Sequence, residues 1–171
     1  MRVSIRPPTT ADLTAHHDAV TRSTDDLHPW SPSEPDELVR ILQRQSDAFT
    51  TRLVFCEADG GLVGTVNIAN IVRGRFLNAS IGYESYRPYS GTGLMTEGLR
   101  LVVAHALAAE PEGLGLHRVE INVRPENVRS IAMAQRLGFR HEGFTPRMLF
   151  LDGAWRDHER FALTTEDLEG H

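Results

Sequence analysis

The run Arg87-Pro88-Tyr89-Ser90-Gly91-Thr92-Gly93-Leu94-Met95-Thr96-Glu97-Gly98 limits what this chain can become more than any other, because two closely spaced glycines open a helix directly after a strand-like segment. Glycine lets the backbone turn without a Cβ in the way, so successive N–H groups and the positive end of the helix dipole converge on one point. Such a point accepts an anion, a phosphate above all. The same glycines also serve as plain turn chemistry, and the run taken alone leaves both readings open.

A second segment, Asn127-Val128-Arg129-Ser130-Ile131-Ala132-Met133-Ala134-Gln135-Arg136-Leu137-Gly138-Phe139, reads as a short helix capped by Asn127, closed at Gly138 and followed by an apolar strand start. A Gly-x-Gly helix start, a strand, then Asn-x-x-Ser opening a helix that closes on Leu-Gly-Phe resembles the GNAT superfamily of acetyl-CoA-dependent N-acetyltransferases. The resemblance covers most of the chain. Leu27-His28-Pro29-Trp30, Ile81-Gly82-Tyr83, Thr96-Glu97 and Asp152-Gly153-Ala154-Trp155-Arg156-Asp157-His158 are most similar to its RimJ/RimL branch. That branch holds the ribosomal-protein N-terminal acetyltransferases and relatives of other specificity.

With 171 residues, 40% hydrophobic and 24% charged, the chain is long enough to bury one good core and short for two, so a single domain over residues 1–171 is expected. The net charge of -5 argues against general nucleic-acid or anionic-membrane binding, which need a basic excess, and suits a cationic amine. The single Cys56 sits in the apolar run Leu53-Val54-Phe55-Cys56 and reads as a buried, inert thiol. No apolar leader or spanning stretch is seen, so a cytoplasmic setting is expected. The eight histidines show no metal-ligand spacing, and no metal is expected.

Val3 and Ile5 alternate with polar neighbours and predict a short strand ending at Pro7-Pro8. A helix capped by Thr10 is expected from Ala11 to about Arg22, a polar loop from Thr24 to Pro35, and a second helix from Glu34 to about Phe49, with Leu38, Ile41, Leu42 and Gln45 on one side. Strand-type runs at Leu53–Glu57, Leu62–Ile71 and Phe76–Glu84, broken by Asp59-Gly60-Gly61 and Arg73-Gly74-Arg75, predict antiparallel hairpins. A helix from Gly93 to Ala109 follows, then a strand His117–Val123, a helix Val128–Leu137 and a last hairpin, Arg140–Leu151 with Ala154–Leu163, around Asp152-Gly153. The whole reads as a mixed α/β (α+β) layer structure. The resemblance implies a GNAT fold: a mostly antiparallel sheet of about seven strands with a splayed strand pair, flanked by about four helices.

The resemblance also implies that the strand before the glycine turn and the strand after its helix diverge, with pantetheine in the gap and the pyrophosphate on the turn. Ile81, Gly82 and Tyr83 would then bond the thioester end, and Tyr89, Ser90, Gly91, Thr92, Gly93 and Leu94 would offer N–H groups to the pyrophosphate. The family pattern places Gln or Arg three residues before the first glycine, where this chain has Pro88, which has no N–H to donate; Arg87 is the neighbouring source of charge. Arg124, Arg129, Arg136 and Arg140 lie near the second motif, as CoA-facing or as solvated surface groups, with Arg129 the candidate retained. Asn127 works as an N-cap by itself, and the resemblance adds a contact with CoA.

Acetyl transfer needs a neutral amine, a polarised thioester carbonyl and a proton for the departing thiolate. Many GNATs carry a tyrosine acid seven residues after the Asn, where this chain has Ala134; Ser130 is the implied substitute, with a second capping hydroxyl as its plainer role. The family's Glu five residues before the Asn is Asn122 here, and the acidic residue that some RimL-like enzymes place in the penultimate strand is Leu149. Glu84 is therefore the first candidate base and Glu120, on the face of Asn122, the second. Substrate recognition is expected at His28 and Trp30, where aromatic surface enters a polar loop; Trp30 covering a core edge is the other reading. Direct transfer from acetyl-CoA to a primary amine in a ternary complex follows, the acceptor being a protein N-terminus or a small molecule, and a homodimer is compatible with it. A non-catalytic acyl-CoA-binding module remains the alternative. A Walker-type phosphate site fails because no Gly-Lys-Ser/Thr follows the glycines.

Overall fold

The computed structural model describes residues 1–30 and 33–169; Ser31 and Pro32 of the expected loop, and the last two residues of the chain, lie outside the described residues. In chain order the elements are β1 Val3–Arg6, a 3-10 turn Thr10–Asp12, α1 Leu13–Leu27, α2 Glu37–Arg44, β2 Phe49–Cys56, β3 Leu62–Val72, β4 Asn78–Ser85, α3 Leu94–Leu107, β5 Arg118–Val123, α4 Val128–Arg136, β6 Arg140–Leu151, β7 Ala154–Thr164 and α5 Thr165–Glu169. The strands form a seven-stranded sheet in the order β1-β2-β3-β4-β5-β7-β6. Antiparallel pairs join β1 to β2, β2 to β3, β5 to β7 and β7 to β6, and β4 runs parallel to β5. No helix among the described residues is long and apolar enough to cross a membrane.

Two compact units carry these elements, Met1–Ala69 with Tyr83–Val102, and Asn70–Gly82 with Val103–His171. The core of the first is Ala19, Val20 and Leu27 of α1, Leu38 and Ile41 of α2, Phe49, Leu53 and Leu62 of the strands, and Tyr86. Two helix boundaries differ from expectation. α1 runs on through Thr24–Asp26, because Ser23 and Thr24 bond back to the Ala19 and Val20 carbonyls and turn polar side chains into helix-compatible ones. α2 stops at Arg44, since the Gln45 side chain leaves the helix register to accept from the Thr51 N–H and the Thr50 hydroxyl. The first cap also shifts by one residue. The Asp12 carboxylate accepts from the N–H and hydroxyl of Thr9, not Thr10.

In this unit the start of α3 lies flat on the strands because two residues there have no side chain. A Cβ on Gly98 would sit 2.3 Å from Val54 Cγ1, and one on Gly64 would sit 2.2 Å from the Glu84 carbonyl oxygen and 2.6 Å from Met95 Sδ. Such contacts cannot form, so helix and strand approach only as close as glycine allows.

The second unit is built on β7, which pairs with β5 on one side (Ile121↔Phe161) and β6 on the other (Phe150↔Trp155). Along β5 the side chains alternate: Val119, Ile121 and Val123 are buried, and Arg118, Glu120 and Asn122 share the less buried face. α4 begins at the Asn127 cap, as expected, with Asn127 Oδ1 accepting from the Ser130 N–H at 3.1 Å. α5 was not expected; its start is fixed by Asp167, which accepts from the N–H and hydroxyl of Thr164.

Gly98→Ala is expected to lower stability by about 1–3 kcal/mol through overpacking against Val54, more than the ~1 kcal/mol of helix propensity that alanine adds. Chemical denaturation measures the difference, and an unchanged midpoint would remove the close-packing account. A second expectation concerns pH. The Arg6 guanidinium, with help from Thr9 and against the cost of burial, draws Asp12 down from 3.8 to about 2. A depressed carboxylate contributes stability that is present above its unfolded value and lost as pH falls through the folded one. Asp12→Asn should therefore cost on the order of 1–2 kcal/mol at neutral pH, given a half-exposed Arg6, and flatten the loss of stability between pH 4 and 2.

Candidate active site

The glycine turn spends part of its amide supply on itself. Tyr89 and Ser90 donate their N–H groups to the Tyr86 carbonyl at 2.9 and 3.0 Å, and Thr92 donates to the Tyr89 carbonyl at 3.2 Å. The expected set of six donors is narrowed accordingly, because a turn this tight closes with its own bonds across three and four residues. Gly91 and Gly93 hold φ of 81° and 86°, which turns their N–H groups away from these bonds, and among the described residues nothing in the chain accepts from them. Leu94 N–H reaches only the Thr92 hydroxyl, at 3.4 Å. What remains at the exposed start of α3 is a set of amides at the positive end of a fourteen-residue helix, a geometry that attracts an anion.

Arg87, the expected source of charge, is held by Asp26 in two bonds of 2.7 and 2.8 Å, and its N–H donates to the buried Ser23 hydroxyl. A guanidinium so engaged anchors the turn to α1 and brings little net positive charge to it. Tyr89 Oη donates to Asp59 at 2.8 Å, and burial with the adjacent Asp59 raises the phenol to about 12, so it stays protonated. Trp30 is 36% exposed and His28 is exposed at the end of α1.

Before the turn, the chain gathers a polar cluster that sequence reasoning saw only in part. Glu84, half-buried, accepts from the Ser33 hydroxyl and, at 3.1 Å, from Tyr86 Oη; the same phenol lies 2.9 Å from Thr65 Oγ1 and 3.3 Å from His16 Nε2. Tyr86 is fully buried and His16 is 1% exposed. Burial and the Glu84 charge push the Tyr86 phenol well above its ordinary range, and burial pushes the His16 imidazole down, against weaker opposing pulls from the Pro35 backbone and Asp12. Tyr86 and His16 were missed because neither belongs to a motif. The available signal was a tyrosine between an acidic strand end and a glycine turn, in a position too tightly built to be solvated.

In the second unit, the parallel pairing of β4 with β5 covers Asn78–Ser80 against Arg118–Glu120, while β5 continues to Val123 on its β7 side. Ile81 and Gly82 stand outside that ladder; Ile81 is buried, Gly82 is exposed, and a Cβ built on Gly82 meets nothing within 4 Å. The expected splaying of the pair is therefore present. Tyr83, half-buried, continues β4 in the first unit. Ser130 is half-buried in the first turn of α4 with Asn127 beneath it, and Arg129 is exposed. Ala134, at the position where the family carries tyrosine, is fully buried and has no polar atom to offer. Glu120 is bound by Arg118 at 2.8 Å and by Arg160 at 3.4 Å, an arrangement that engages the carboxylate in ties within β5 and to β7. The Asn122 side-chain oxygen is buried without a hydrogen-bond partner among the described residues. No group of three or more metal-ligating side chains is found among the described residues.

Residues 2–140 match the family model described as an acetyltransferase (GNAT) domain. The chain is 37% identical over 116 residues to a probable N-acetyltransferase, YjcK, of Bacillus subtilis, covering 68% of this chain and 62% of that protein, so it spans less than two thirds of that relative. It is 32% identical over 153 residues to the [ribosomal protein uS5]-alanine N-acetyltransferase of Escherichia coli, covering 82% of this chain and 76% of the enzyme. Among solved structures, Mycobacterium smegmatis RimJ in complex with CoA-disulfide superposes with a TM-score of 0.85 at 32% identity, over 97% of this chain and 83% of that one.

Glu120→Gln should act on stability. It removes the charge that Arg160 faces and one of the two carboxylates that Arg118 faces, at a position with 17% side-chain exposure, and a loss of about 1–2 kcal/mol in chemical denaturation is expected. A variant with undiminished stability and abolished turnover would instead restore Glu120 as a candidate base.

Proposed function

The chain belongs to the GNAT acetyltransferase family, and from that premise we propose that it transfers the acetyl group of acetyl-CoA directly to the α-amine at a protein N-terminus, in a ternary complex. The observation that carries this is the exposed glycine turn at the start of α3, whose Gly91 and Gly93 amides no group among the described residues takes up. These amides receive the CoA pyrophosphate, which supplies the anion that the helix terminus favours. The acidic chain thus binds a polyanion through backbone dipoles, with Arg129 as an exposed basic neighbour of the Asn127 cap.

Ile81, Gly82 and Tyr83 offer backbone groups to the pantetheine and the acetyl carbonyl, as an added strand would, which polarises the carbonyl for attack. The amine nitrogen forms a bond to the carbonyl carbon, the C–S bond breaks, and the amine's proton passes to Glu84. An α-amine has an ordinary pKa of about 8, so the base has little work to do at neutral pH. The Ser130 hydroxyl donates to the departing sulfur, whose thiol form has an ordinary pKa of about 8.5; Asn127 fixes the first turn that carries it.

For the acceptor, the Escherichia coli relative named for a ribosomal-protein alanine and the Mycobacterium smegmatis RimJ neighbour, each 32% identical, support an N-terminal amine. The exposed His28 and Trp30 at the end of α1 contact the acceptor chain. A cytoplasmic enzyme is the setting in which such termini are met.

Thiol release should be followed with acetyl-CoA and an acceptor panel of peptides with different first residues, spermidine and simple alkylamines. Peptide acetylation at the first residue is expected, and binding of CoA with no turnover on any amine would favour the non-catalytic module. Ser130→Ala should lower kcat about tenfold or more and leave the acetyl-CoA KM within about twofold, as loss of a donor used only in the transition state requires. An unchanged kcat would remove its role.

A further inference from the structure

The open side of the glycine turn has a guanidinium beside it. Among the described residues, a Cβ built on Gly93 would meet one heavy atom within 4 Å outside its immediate chain neighbours, Arg2 Nη2 at 3.7 Å. Arg2 directly precedes β1, and its carbonyl accepts from the Glu57 N–H at 2.9 Å, so the backbone that carries it is fixed to the sheet edge. Its side chain is held by the first turn of α3 itself. Nε and Nη2 both donate to Glu97 Oε1, at 2.8 and 2.5 Å, and the Arg2 N–H reaches Oε2 at 3.4 Å. Ninety-five positions separate the two residues, and no sequence motif joins them.

This tie leaves donors over. Glu97 takes the Nε–H and one Nη2–H, so the second Nη2–H and both Nη1–H bonds of the planar fork remain on its outer edge, and among the described residues none of them has an acceptor. The Arg2 side chain is 61% exposed, and an exposed ion pair of this kind adds little to stability. What it fixes is direction, since a long flexible side chain bound at one edge presents the other edge in one orientation. The bonds from Arg2 draw the Glu97 carboxyl below its ordinary range, so the pair is ionised at neutral pH. A bare carboxylate in the first turn would repel an anion arriving at that helix end, and the guanidinium cancels it.

We propose that Arg2 positions the cofactor: held by Glu97 beside Gly93, it donates from its outer edge to the pyrophosphate of acetyl-CoA on the Gly91 and Gly93 amides. The inference rests on the placement of the pyrophosphate at that turn. Amides and guanidinium supply different things. The amides point donors at the anion without bringing a counter-charge, while the arginine brings a flat fork that matches phosphate oxygens and offsets the one carboxylate at this helix start. The charge expected from Arg87, whose guanidinium is turned to Asp26 of α1, comes instead from the residue before β1.

The test uses the full chain, a peptide beginning with alanine, and a series of acetyl donors: acetyl-CoA, acetyl-dephospho-CoA, which keeps the pyrophosphate and lacks the 3′-phosphate, and S-acetylpantetheine, which lacks both. Arg2→Ala should raise the KM of acetyl-CoA and of acetyl-dephospho-CoA about tenfold, with kcat within about twofold. The KM of S-acetylpantetheine should stay within about twofold of the wild-type value, because that donor has nothing for Arg2 to hold. A penalty that disappears with acetyl-dephospho-CoA moves Arg2 to the 3′-phosphate and overturns the pyrophosphate contact. A penalty equal for every donor is a structural effect and overturns it too. Calorimetric titration with CoA gives a readout free of turnover and of the acceptor: wild type is expected to bind about tenfold more tightly than Arg2→Ala. Equal affinity removes the role of Arg2 and leaves the glycine turn standing. If wild type binds CoA no better than pantetheine, the placement of the pyrophosphate falls and this inference with it.

Discussion

The closest backbone approach in the first unit sets where its chemistry sits. β3 presses on the end of β4 and the first turn of α3 at Gly64, and α3 presses on β2 at Gly98, at separations that leave no room for a methyl group. A helix fixed at both points has little freedom to rotate about its axis or slide along the strands. Its N-terminus is therefore held where the Gly91-Thr92-Gly93 turn delivers it, and the direction of the free amides follows from packing several residues away. Any side chain at either glycine would move the helix, and the amides with it.

The same placement accounts for how an acidic protein can bind a polyanion. Most arginines near the motifs are already spoken for: Arg87 by Asp26, Arg118 by Glu120 and Glu142, Arg140 by Glu142 and Asp167, and Arg124 by Glu126. Glu142 shows the strength of this commitment, since the Arg118 guanidinium, with Arg140, draws it down to about 2. Arginines in such pairs hold strands and loops together and contribute little net field. Backbone amides carry no counter-charge to be neutralised, so the glycine turn keeps its attraction for an anion in a chain of net charge -5.

What the amino-acid pattern revealed, and what it hid, divides along local and non-local interactions. β6 and β7 were readable because alternation and the Asp152-Gly153 turn are written within a few residues, and the Asn127 cap because an N-cap acts on its own helix. The end of α1 was not, since Thr24, Asp25 and Asp26 have loop composition and stay helical only through back-bonding and the burial of Ser23 and Leu27. The site divides in the same way. The glycine turn is a local device, legible at once, although which of its amides stay available depends on bonds to the Tyr86 carbonyl. Tyr86 and His16 lie seventy positions apart, and their meeting is a product of the fold; nothing in either one's neighbours announces it.

Two carboxylates that looked interchangeable in the sequence are thereby told apart by their donors. Glu120 receives guanidinium groups from Arg118 and Arg160, which cancel its charge and hold it as a strand-to-strand tie. Glu84 receives hydroxyls from Ser33 and Tyr86, which orient the carboxylate. A carboxylate that takes a proton from an ammonium must attract the cation first and have a lone pair aimed at it afterwards. Guanidinium donors spoil the first condition and solvent alone fails the second, whereas hydroxyl donors leave the charge in place and aim the lone pairs. On the proposed assignment, the carboxylate tied by two guanidinium groups is the structural one and the carboxylate that takes hydroxyl donors at the end of β4 is the base.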